Sequence, residues 1–115
     1  MEALNNLELI LLDKLVTKYP ALATHITHLK VSKRQKSGFS MYVYFAYHNF
    51  NPQPEMINAL FSNGEKIIIP QLKDGLSYVI DVTAGQIEHI EFSTYKEEWE
   101  GQIGEFEIVE SEING

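Results

Sequence analysis

Residues 41–47, Met-Tyr-Val-Tyr-Phe-Ala-Tyr, carry no charge on either side of the β-strand that their alternation predicts. The pleat sends Phe39, Met41, Val43, Phe45 and Tyr47 one way and Tyr42, Tyr44 and Ala46 the other. Such a strand needs apolar cover on two faces, and a single helix covers one face of a sheet. The rest of the chain is constrained by where that second cover comes from.

The chain offers one clear helix. Leu7, Ile10, Leu11, Leu15 and Tyr19 recur at helical spacing over residues 5–19, and Leu4, Leu12 and Val16 widen the stripe. Asn5 followed three residues later by Glu8 predicts a capping box, and Pro20 ends the run by pushing its predecessor out of the α region. From about Thr24 the period changes to two. Thr-His-Leu-Lys-Val-Ser-Lys-Arg-Gln alternates Leu29 and Val31 against Lys30 and Ser32, then turns at Lys-Ser-Gly into the aromatic strand.

Residues 49–54, with two prolines, predict a loop. Residues 55–61 fit either a short helical turn or the lead-in to a strand. Three consecutive isoleucines, 67 to 69, predict burial on both faces. Leu-Ser-Tyr-Val-Ile-Asp-Val and Gln-Ile-Glu-His-Ile-Glu-Phe-Ser-Thr-Tyr flank Thr-Ala-Gly as a hairpin, and residues 105–110 predict a last short strand before a polar tail. The whole reads as a single α+β domain over residues 1–115: an N-terminal helix packed on a curved, mostly antiparallel sheet of five to six strands.

Charge separates along the chain. Lys14 to Pro54 holds six Lys/Arg and no Asp or Glu, whereas Gly75 to Gly115 holds ten Asp/Glu and one Lys. The net charge of −7 opposes general affinity for nucleic acid or anionic lipid. Disulfides and thiolate chemistry are excluded because there is no cysteine. No apolar run approaches the ~20 residues that span a bilayer. The start of the chain does not read as a signal peptide, so a cytoplasmic protein with no membrane partner is expected.

Chemistry-bearing groups are sparse. His25 and His28, placed on a strand, face opposite sides, and no acidic residue stands beside them or His48, so no metal and no cofactor is expected. Glu88, Glu91, Glu97, Glu98 and Glu100 cluster without a nucleophile to serve. Ser77 or Ser93 with His89 is a pairing that arises by chance, so no catalytic residue is assigned. Lys30, Lys33, Arg34 and Lys36, ahead of Tyr42 and Tyr44, combine cations with rings in the manner of single-stranded nucleic-acid binders. Trp99, in its acidic turn, is expected to fold back and plug the edge of the core.

Residues 74–99, DGLSYVIDVTAGQIEHIEFSTYKEEW, resemble the tail of small bacterial α+β proteins: a strand, a glycine turn, I-x-x-I-E, an aromatic, then S/T-Y-x-E-x-W. Some of these are read as immunity factors that bind and neutralise a toxin. The resemblance implies a small bacterial binding protein without catalytic residues, whose acidic residues 88–112 meet a cationic toxin. The favoured reading is therefore a non-catalytic protein-binding domain, either immunity-type or self-associating as a homodimer or larger oligomer. Its contact residues would be Tyr42, Tyr44, Glu97, Glu98, Trp99 and Glu100. The alternatives are single-stranded nucleic-acid binding through the basic hairpin 30–36, which the net charge disfavours, and a small enzyme with an unrecognised site.

Overall fold

The computed structural model describes residues 1–110. Helix α1 runs Asn6–Lys18. The Asn5 side chain accepts from the Glu8 N–H and the Glu8 carboxylate accepts from the Asn5 N–H, both at 2.8 Å, closing the expected capping box. Leu7, Leu11, Leu12 and Leu15 are buried, and Glu8 is buried beside them. Ile10, expected in the stripe, lies outside it at 40% exposed. The buried face is centred on 7, 11 and 15 and extends toward 8 and 12, which turns position 10 to its solvent margin.

Pro20 ends α1 and also opens a 3-10 helix, Pro20–His28, where a strand from Thr24 was expected. The β-branched residues there favour a strand locally. Tertiary packing overrides them: Leu22 and His25, three apart, fall on one side of a three-residue-per-turn helix and both become buried. The strand begins only at Leu29.

Among the described residues, seven strands form one antiparallel sheet: β1 (Leu29–Ser37), β2 (Ser40–Tyr47), β3 (Ala59–Phe61), β4 (Lys66–Ile68), β5 (Leu76–Thr83), β6 (Gln86–Thr94) and β7 (Glu107–Val109). Their spatial order is β1-β2-β6-β5-β4-β7, with β3 paired to another stretch of β5. The undecided residues 55–61 thus resolve into a loop and a three-residue strand. The isoleucine run is buried on one side only, because Ile67 and Ile69 enter the core while Ile68 is exposed. Class and element order agree with the α+β expectation.

The hairpin β5–β6 turns at Ala84 and Gly85, which take φ of 50° and 77°. A Cβ at Gly85 would sit 2.6 Å from Glu55 Cβ and 2.9 Å from its backbone N, so the loop ahead of β3 closes against the turn only because position 85 is glycine.

Pairing registers divide the sheet into two faces. Val31, Met41, Val43, Tyr78, Ile80, Ile90 and Phe92 share one cluster with the leucines of α1, Leu22 of the 3-10 helix, and Trp99. Two ionic contacts fasten α1 to this face. Arg34 of β1 holds Glu8, and Lys14 reaches Glu65 at 3.0 Å, whose other carboxylate oxygen accepts from the Tyr78 hydroxyl at 2.6 Å. Burial opposes the charge on Glu65, yet the hydrogen bonds from Tyr78 and Lys14 outweigh it and hold this carboxyl below its usual range. Among the described residues, no helix is long and apolar enough to cross a membrane.

Candidate functional site

The opposite face is where the aromatic strand has no helix above it. Registers place three cross-strand rows there. Lys33, Tyr44, His89 and Asp81 form the first, running β1-β2-β6-β5 and continuing to Leu60 on β3. Gln35, Tyr42, Glu91 and Val79 form the second, and Ser37, Ser40, Ser93 and Ser77 the third.

Tyr42 and Tyr44 are half-buried and stack on one another. Their rings lie 6.0 Å apart and 18° from parallel. His89 meets both edge-on or tilted, at 5.6 and 5.5 Å. The Lys33 ammonium stands 4.9 Å from the Tyr44 ring centroid, within cation–π range. Glu91 accepts from the hydroxyls of Ser40 at 3.0 Å and Ser93 at 3.3 Å. Its negative charge, reinforced by partial desolvation, raises the Tyr42 phenol above its ordinary pKa, so Tyr42 stays neutral. The face thus has a neutral aromatic centre, two lysines on its β1 flank (Lys30 and Lys33) and two carboxylates on its β6–β5 side (Glu91 and Asp81).

Other expected contact residues lie elsewhere. Trp99 is buried at 5% exposed, its indole N–H donates to Gln102 O, and it plugs the edge of the core. Glu97 caps the turn before β5, accepting the backbone N–H groups of Lys73 and Asp74 at 2.8 Å each, and those bonds hold its pKa down. Glu98 and Glu100 are exposed and line a groove with Lys36, Gln71, Gln102 and the edge of Trp99. The acidic stretch therefore spreads over several surfaces, and Ser111 and Glu112 within it lie outside the described residues.

The basic hairpin does not form a single cationic patch. A β-bulge between Val31 and Lys33 shifts the alternation, so Arg34 and Lys36 fall on the core side while Lys30 and Lys33 fall on the open face. Arg34 is committed to Glu8 and Glu2, and the Lys36 ammonium donates to Gly38 O. Sequence reasoning missed this because one bulged residue reverses the face of every side chain after it.

The histidines are likewise rearranged. His25 and His28 are not on opposite sides of a strand. They share one side of the 3-10 helix and clasp Phe50, whose ring lies 5.2 Å from His25 edge-on and 4.5 Å from His28, stacked. His25 Nδ1 is 2.8 Å from the Tyr47 hydroxyl, which also accepts the Ile87 N–H. Burial lowers the His25 pKa. Ser93 and His89, four residues apart on β6, are separated by about 13 Å of strand, and Ser77 sits opposite Ser93, so neither serine can use His89 as a base.

Fold and site together define an α+β fold with an open antiparallel sheet, one face packed against helices and the other carrying rings and charges. Comparison with family models, curated proteins and solved structures found no match.

Proposed function

We propose that this chain is a non-catalytic protein-binding domain that works through the open face of its sheet. The observation that carries this reading is the stacked pair Tyr42 and Tyr44 at the middle of a face that no helix of the described chain covers. Tyrosine offers large contact area at low entropic cost and is enriched in protein interfaces. Nucleic-acid binding is disfavoured by the division of the four cations between two faces and by the two carboxylates sharing the open one. The likeness of residues 74–99 to immunity-type proteins supports the same binding class, with a cationic partner as its version.

The test is a photo-crosslinking amino acid at position 44, compared with the same residue at exposed Thr17 on α1, in cells that naturally contain the protein. A discrete protein adduct from position 44 and none from 17 is expected. No adduct from position 44, or identical adducts from both, would remove the reading.

A further inference from the structure

We infer that the open face is a homodimer interface in which two sheets pack face to face about a two-fold axis parallel to the strands, passing between β2 and β6. This names the occupant of the face proposed above and rests on that reading.

The basic half of the sequence supplies β1 and β2 and the acidic half supplies β5 and β6, and the sheet sets them side by side as β1-β2-β6-β5. A separation along the chain thereby becomes a separation across one face. The first row runs from Lys33 through Tyr44 and His89 to Asp81, with cation and anion three strand spacings apart, roughly 14 Å. Within one molecule that distance is too long for an ion pair.

A two-fold axis between β2 and β6 exchanges the two ends of each row. Lys33 of one copy then stands over Asp81 of the other, and Asp81 of the first over Lys33 of the second. In the same operation Tyr44 meets His89 and Tyr42 meets Glu91, so the phenol of each Tyr42 lies opposite a carboxylate. The face is complementary to itself, as an isologous contact requires. It also places sheet on sheet in the aligned packing common to β-sandwiches. Four strands of about eight residues give each copy about 500 Å² of flat area. That is below the standard interface size, and the dimer is accordingly weak and reversible.

Sedimentation velocity over a wide concentration range tests the arrangement. The wild-type chain, 13.2 kDa, should shift toward twice that mass as concentration rises. Lys33→Glu and Asp81→Lys should each weaken dimerisation by about tenfold or more, since each opposes like charges twice. Mixing the two variants should restore the dimer, because the glutamate introduced at position 33 of one copy then meets the lysine introduced at position 81 of the other. The second pair in that mixed dimer is the unaltered Lys33 and Asp81. A misfolded variant would not be rescued by mixing.

A wild-type monomer at every concentration, or a dimer indifferent to both substitutions, would overturn the inference. The crosslink at position 44 separates this from the broader reading. An adduct to a different protein sinks the homodimer and leaves protein binding standing, whereas no adduct sinks both.

Discussion

Arg34 on β1 clamps Glu8 in the first turn of α1. Its Nη2 lies 2.9 Å from both carboxylate oxygens, its Nε lies 3.3 Å from one of them, and Nη1 reaches Glu2 at 2.7 Å. Glu8 is 1% exposed and also serves the capping box, so one carboxylate closes the helix start and ties the helix to the sheet.

Removing the cation would strand that carboxylate in the core. Arg34→Ala is expected to destabilise the fold by about 3 kcal/mol, the low end for breaking a buried pair because the guanidinium is partly exposed. Arg34→Lys should recover only part of the loss, since an ammonium cannot form the two-oxygen fork. Urea denaturation of the three proteins decides it. Equal stability of Arg34→Ala and wild type would mean that the clamp contributes nothing.

The β5–β6 turn contains removable strain. Ala84 is exposed and sits at φ 50°, a left-handed conformation that asparagine tolerates better than alanine. Its N–H donates to Asn58 Oδ1 and would still do so after substitution. Ala84→Asn is expected to stabilise by about 0.5–1 kcal/mol, raising Tm by roughly 3 °C. Gly85→Ala should do the reverse, costing about 1–3 kcal/mol from backbone strain with the clash against Glu55 added. Thermal melts of both variants provide the check.

Acid should weaken the packing of the 3-10 helix on the sheet. His25 is buried against Tyr47 and Phe50, with His28 and Glu55 as its charged or titratable neighbours, and burial lowers its pKa from the ordinary 6.5. With the folded value below the unfolded one, the unfolded chain binds more protons in that window. Stability is full above the ordinary value and is lost as pH falls below about 6.5 toward the folded pKa. Urea midpoints from pH 8 to pH 5 should fall for the wild type and fall less for His25→Gln. Parallel profiles for the two proteins would show that His25 does not supply the effect.

The elements legible from the residues were those set by local chemistry. The capping box at Asn5 and Glu8, the α1 leucines, the Ala84–Gly85 hairpin and the pleat of residues 41–47 each rest on neighbours within a few positions. Where the reading missed, a distant contact outweighed a local preference. Residues 24–28 have strand propensity and form a 3-10 helix because Leu22 and His25 bury together, and Ile68 faces outward because β4 has a core on only one side.

The open face was half visible. Alternation alone put Tyr42 and Tyr44 on the same side, and counting helices left that side to be covered either by a curl of the sheet itself or by a partner. Which charges join the tyrosines there depended on a bulge between Val31 and Lys33 and on β6 inserting beside β2, neither of which leaves a periodic signal. By itself, the sequence determined the secondary-structure periods, the helix start and the separation of charge along the chain, because those depend on short-range spacing and composition. Only the tertiary structure decided that Arg34 would close the core while Lys33 faced outward with Asp81 at the far end of its row, because register and strand order are set by the pairing of segments remote in the chain.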